Sequence, residues 1–125
     1  MDDHPNAAMY RQLSQAMSGE DFAAFSDKIA DDVEWWEIGA TEPIRGKAAL
    51  MERMQGLMGQ GSVKIDLHDV VANDQHMVAL VTATAERDGR SLTYRTAEIY
   101  HVRDGKLTHR WAFSDDTAAI NAFFA

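Results

Sequence analysis

Apolar residues recur at helical spacing through the first half of the chain and alternate with polar ones through most of the second. From Asn6 to Met17, residues Met9, Leu13, Ala16 and Met17 fall on one helical face with Tyr10 beside them, and Pro5 and Asn6 supply start signals. Gly19 breaks that helix. Glu20 or Asp21 opens a second, in which Phe22, Phe25 and Ile29 are spaced three and four apart, and which runs out at Asp31-Asp32. A third covers Lys47 to Met58, where Leu50, Met51, Met54, Leu57 and Met58 repeat at helical spacing. Methionines there either fill core flexibly or line an adaptable cavity. The glycines at 56, 59 and 61 lack the preceding strand and the spacing of a phosphate loop, so they read as the end of this helix.

From Ser62 onward the period shortens to two. Val63, Ile65 and Leu67 alternate with Lys64, Asp66 and His68, and the run continues through Val70-Val71-Ala72 to a turn at Asn73-Asp74. Met77 to Ala85 is nearly continuous in apolar residues and threonine, the pattern of a strand buried on both faces. Asp88-Gly89 is a hairpin signal, Ser91 to Val102 follows, and Asp104-Gly105 turns the chain again into Leu107 to Ser114. These are four antiparallel strands in a meander. Asp115 to Ala125 closes the chain as a short helix with Ile120, Phe123 and Phe124 on its apolar face. Helices followed by a meander predict one α+β domain over residues 1–125.

Between helix and meander lies the block Asp31 to Gly46, which reads as a helix end, a short strand, a turn and the start of another helix. Alternation along the strand puts Val33, Trp35 and Glu37 on one face. A carboxylate beside a large apolar ring is disfavoured in its charged form, which suits it to moving protons. A solvated strand end with no chemistry is the alternative. Glu98 is a second candidate, on one face of its strand with Tyr94, Thr96 and Tyr100; the alternative is an ion pair with Arg95 or Arg110 on the sheet exterior. Two carboxyls in one apolar cavity cannot both ionise freely, and an acid–base pair results.

Composition narrows the classes. With 125 residues the chain can bury a core without staples, and with no cysteine it has no disulfide, thiolate metal site or cysteine nucleophile. A net charge of −8 without a basic cluster argues against a nucleic-acid partner. No apolar run approaches a membrane span, and the start MDDHPNAAM is unlike a signal peptide, so the expected location is cytoplasmic and off the membrane. No His-Glu-x-x-His spacing and no Gly-x-Ser-x-Gly elbow occurs, so neither a metal site nor a serine triad is expected.

The block Asp31-Asp32, Glu37, Gly39, Glu42-Pro43 and Gly46, with the later Asp104-Gly105-Lys106-Leu107 turn, Trp111 and Asp115-Asp116, resembles the nuclear transport factor 2-like superfamily. Within it the likeness is to the ketosteroid isomerase branch and the SnoaL-like polyketide cyclases. The resemblance implies that the strongly curved mixed or antiparallel sheet wraps three N-terminal helices as a conical, cystatin-like barrel with an internal pocket. It implies Glu37 at the position of the isomerase's general base, an Asp there, and Glu98 at that of the acid that donates a hydrogen bond to the oxyanion. The isomerase's oxyanion tyrosine falls at Gln12 or Leu13 here. Tyr10, Tyr94 or Tyr100 would have to substitute, and steroid isomerisation is not favoured. The cyclases use an acid near the end of the last strand, where Asp115 and Asp116 stand; a helix N-cap is the alternative for this pair.

Matching the last strand to the isomerase puts Arg110, Ala112 and Ser114 on the pocket side. His109, Trp111 and Phe113 then face outward, where such domains commonly dimerise. The expectation is a cofactor-independent isomerase or lyase that moves a proton on a small apolar or aromatic carbonyl compound. Glu37, Glu98 and Asp115 are its candidate catalytic residues, and Trp35, Tyr94, Tyr100, Met54 and Tyr10 its candidate binding residues. The competing expectation is a non-catalytic binding or dimerisation module with the same cavity.

Overall fold

The computed structural model describes residues 4–18, 21–58 and 61–125. Gly19, Glu20 and Gly59, invoked above as helix signals, lie outside the described residues. Helices α1 (Pro5–Ser18) and α2 (Phe22–Asp27) come first, then strands β1 (Ile29–Trp35) and β2 (Ile44–Arg45) and helix α3 (Lys47–Met58). The meander is β3 (Ser62–Ala72), β4 (His76–Arg87), β5 (Arg90–Arg103) and β6 (Lys106–Ser114), and α4 (Thr117–Phe124) ends the fold.

Six strands form one mixed sheet in the order β2-β1-β6-β5-β4-β3. The meander is antiparallel, and β1 joins it in parallel against β6. Two of its three hairpins share one turn type. Asp88 and Gly89 have φ of 53° and 74°, and Asp104 and Gly105 have 52° and 74°, the paired positive values of a type I′ turn, whose twist matches that of the strands it joins.

Four expectations are corrected. The sheet is open, with β2 and β3 as its edges, so it is a curved surface rather than a closed barrel. The second helix stops at Asp27, before Asp31-Asp32, and Ile29 opens β1. Ile29 is fully buried and pairs with Leu107, so the four-residue spacing from Phe25 that suits a helix is overridden by strand pairing. That strand ends at Trp35, so Glu37 lies in the loop after it. Finally, β4 is buried on one face: Met77, Ala79, Val81, Ala83 and Ala85 point inward, while Leu80 on the other face is 43% exposed.

The core lies between the inner face of the sheet and the helices. Tyr10, Leu13, Phe25, Leu50 and Val33 meet Met77, Tyr100 and Leu107 there. α1 packs across β3 and α3 across β1. Asp21 and Asp116 cap α2 and α4, accepting from the amides of Ala24 and Ala119 at 3.1 and 3.0 Å. The loop carrying Glu37 is pinned onto α4 through Gly39. Its φ is +77°, and a Cβ there would stand 2.8 Å from Thr117, so only glycine allows the approach.

Candidate active site

The inward row of β4 is made of small side chains, and this leaves room. A cavity of about 430 Å³ opens over it, walled by Phe25 of α2, Trp35 of β1, Leu50, Arg53 and Met54 of α3, and Ile120 and Phe124 of α4. Besides Arg53, its polar groups include Tyr94, Thr96 and Glu98 of β5, Arg110 of β6, and Glu37 of the loop after β1. Alternation on β5 and β6 puts these residues on the inner face together.

Glu98 and Arg110 form a buried pair, 2.9 Å from Oε2 to Nη2, with side chains 9% and 11% exposed. Glu98 also accepts from the Tyr10 hydroxyl. Arg110 is held on two further sides: Nη1 donates to the Trp36 carbonyl at 2.9 Å, and the guanidinium lies 4.8 Å over the Trp35 ring. Burial works against the charge on Arg110, but Glu98 and Tyr100 together outweigh it and hold the guanidinium pKa above its ordinary value. Burial, with Tyr100 and Glu98 nearby, pushes the Tyr10 phenol far up, so it stays a neutral donor. Tyr94 is raised too, mainly by burial, and among the described residues its hydroxyl has no hydrogen-bond partner.

Glu37 is in a different setting. Its carboxylate faces Arg53, with both oxygens 3.2 to 3.3 Å from Nε, and its side chain is 35% exposed. The apolar wall at Trp35 is therefore only half of its environment; a cation supplies the other half.

Of the candidate residues, the structure brings Trp35, Glu37, Met54, Tyr94 and Glu98 to one cavity. Tyr10 and Tyr100 stand behind that wall. Tyr100 is fully enclosed, its ring 5.4 Å from Tyr10 and 6.1 Å from Trp35, so neither phenol lines the cavity. Asp115 stands outside it, bonded to the Arg95 amide at 3.1 Å and the Arg95 side chain at 3.3 Å. Sequence reasoning left out Arg53; it named Arg110 as a pocket-side position and as one of two possible ion-pair partners of Glu98 on the sheet exterior, and the pair with Arg110 forms, but buried at the inner face. Arg53 sits one residue before Met54 on α3, and no spacing rule links it to a loop carboxylate sixteen residues away. Among the described residues no three His, Asp or Glu side chains converge as metal ligands.

The outer face of the sheet carries a histidine row. His76, His101 and His109 are cross-strand neighbours, with ring centroids 4.6 and 5.2 Å apart, and His109 stacks on Trp111. Partial burial first, then His76 and His109, hold the His101 pKa below 6.5. Its neutral form is favoured in the fold, so its contribution to stability is full above pH 6.5 and is lost as pH falls through the folded value. An NMR titration of the His101 ring should show a midpoint below 6.5, and one at or above that value would contradict this.

A sheet curved over helices, with a cavity at its inner face, defines a nuclear transport factor 2-like fold. Solved structures share it over nearly their whole length. Bal32a, from a soil-derived mobile gene cassette, aligns with a TM-score of 0.86 at 19% identity, over 96% of both chains. An LEH-like epoxide hydrolase of M. tuberculosis aligns at 0.80 and 16% identity, over 92% of this chain and 86% of its own. IdmH, a candidate polyketide cyclase of Streptomyces antibioticus, aligns at 0.75 and 16%, over 98% and 100%. Within that fold the chain belongs to the SnoaL-like domain family, whose profile matches residues 10–110. Uncharacterized proteins of Mycobacterium tuberculosis and Mycobacterium bovis are 27% identical to it, over the full length of both chains. Among the described residues no helix is long and apolar enough to cross a membrane.

Proposed function

We propose that this chain is a cofactor-independent proton-transfer enzyme, of isomerase, cyclase or dehydratase type, acting on a small apolar or aromatic carbonyl compound. One observation carries the reading. A partly exposed carboxylate, Glu37, faces the same largely apolar cavity as an unpartnered phenol, Tyr94, and a buried guanidinium, Arg110. Removing a proton next to a carbonyl needs a base on the carbon and donors at the oxygen where charge develops. Glu37 is the base. Tyr94 and Arg110 are the donors. Glu98, already accepting from Tyr10 and Arg110, holds the guanidinium in place and is a positioning residue.

The test needs no knowledge of the natural substrate. Cyclic ketones such as 1-tetralone and 2-decalone are incubated with the protein in D2O, and α-hydrogen exchange is followed by NMR. Catalysed exchange that depends on Glu37 supports the reading. Binding without exchange favours the non-catalytic module.

The same reading includes a homodimer through the outer face of the sheet. Val71, Val78, Ile99 and Trp111 form one cross-strand row there, and Leu80, Ala97 and Phe113 another, with Phe113 61% exposed and Val71 60%. A contiguous apolar face of this kind is uncommon on a monomer. Light scattering at tens of micromolar should give twice the chain mass, and Phe113→Asp should shift it toward the monomer. A monomer mass for the unaltered chain would refute the dimer.

A further inference from the structure

The inward row of β4 ends in a charge. After Ala79, Val81, Ala83 and Ala85, the next inward position is Arg87, which lines the end of the cavity bounded by Gly61 and Ser62. Three arginines border this cavity. Arg53 is paired with Glu37 and Arg110 with Glu98, so each is neutralised at close range. Arg87 is not. Its ion-pair neighbour among the described residues is Asp88, whose carboxylate is 79% exposed and stands 3.9 Å from Nε, too far for a hydrogen bond. Asp21 and Glu86 also border the cavity, and neither comes within ion-pair distance of it. The Arg87 side chain is only 20% exposed, and its Nη1 is buried with no hydrogen-bond partner among the described residues. A largely shielded guanidinium without a close anionic partner is costly unless something of opposite charge reaches the part of it that lines the cavity.

We infer that the cavity takes a ligand with two parts: an apolar body of at least two fused rings, and an anionic group, a carboxylate or its like, that Arg87 binds. The inference rests on the proposed reading of the cavity as a substrate site and names the class of substrate. Geometry sets the size. Ala83 pairs with Tyr94 across the sheet, and Arg87 lies four residues further along β4. That is ~13 Å of strand, which the reach of the arginine shortens to roughly the length of a bicyclic ring system. The carbonyl would meet Tyr94 and Arg110 at one end while the anion meets Arg87 at the other. Planar guanidinium geometry favours a two-oxygen anion over a neutral amide.

The experiment compares 2-naphthylacetate with its neutral isostere 2-naphthylacetamide, by titration calorimetry, on the unaltered protein, Arg87→Met and Arg87→Lys. The acid should bind the unaltered protein about tenfold more tightly than the amide, or better. Arg87→Met should bind both equally, with the amide affinity unchanged, and Arg87→Lys should keep part of the preference. Should Arg87→Met not fold, Arg87→Gln replaces it with the same expected outcome. Equal binding of acid and amide to the unaltered protein overturns this inference and leaves the apolar cavity reading standing. A preference that survives loss of Arg87 also overturns it, because Arg53 or Arg110 then reads the anion. If neither compound binds at millimolar concentration, both this inference and the underlying reading fail.

Discussion

Glu37→Gln should lower the rate of α-hydrogen exchange at least about a hundredfold, the usual range for loss of a general base being roughly a hundred- to ten-thousand-fold. The substitution keeps the shape of the side chain and its capacity to bond Arg53, and removes only the ability to take a proton. Glu37 lies on a loop beyond β1, pinned to α4 by Gly39, so its position does not depend on its own charge. Its pair with Arg53 is part-exposed, at 35% and 49%, and such pairs contribute about 0–1 kcal/mol. Stability should therefore change little, and ligand affinity should hold while turnover falls, the signature of an interaction made in the transition state. Equal exchange in the variant and the unaltered protein would remove Glu37 from the mechanism.

The largest effect on stability should come from Arg110→Met. This variant strands Glu98, whose side chain is 9% exposed, without its cation. Breaking one side of a buried pair costs about 3–5 kcal/mol, because the remaining charge keeps its desolvation penalty without the compensating partner. Against a typical total of about 5–15 kcal/mol that is a large share. A fall in Tm on the order of 10–20 °C is expected for a chain of this size. Glu98→Met with Arg110→Met should recover most of the loss, since both charges leave together. It should not recover all of it: the Tyr10 hydroxyl loses its acceptor, and adding Tyr10→Phe should restore a further part. Chemical denaturation of the single, double and triple variants measures each step. A single variant within about 1 kcal/mol of the unaltered protein would show that the pair is solvated and not the buried cluster described above.

Local pattern was enough for the parts of this protein that local physics controls. The two Asp-Gly hairpins were legible because both central residues need positive φ, and the strands they join because each is a long run of strand-forming residues bounded by turns, although the continuous apolar run of β4 did not reveal that only one of its faces is buried. Alternation on β6, with the face assigned by the family likeness, also put Arg110, Ala112 and Ser114 inward and Phe113 outward; Ala112 is 8% exposed in the fold and Phe113 61%. The family likeness extended to the fold, which relatives below 20% identity share.

Everything that depended on a distant partner was decided only by tertiary structure. Ile29 fits a helix by its spacing from Phe25 and becomes a strand because Leu107 offers it a parallel partner and a dry environment. The two-residue strand β2 has no pattern of its own and exists through its pairing with Glu34 and Trp35. Glu98 had two arginines in reach along the sequence. The sheet chose Arg110, because β5 and β6 present both residues to the inner face, and it sent Arg95 outward to Asp115. The sequence by itself thus determined where the chain reverses and which residues of β6 share a face, since φ preferences and side-chain period act over a few residues. Which inward charges meet, and that Arg87 meets none closely among the described residues, was decided by the curvature and register of the whole sheet, which no short stretch of chain contains.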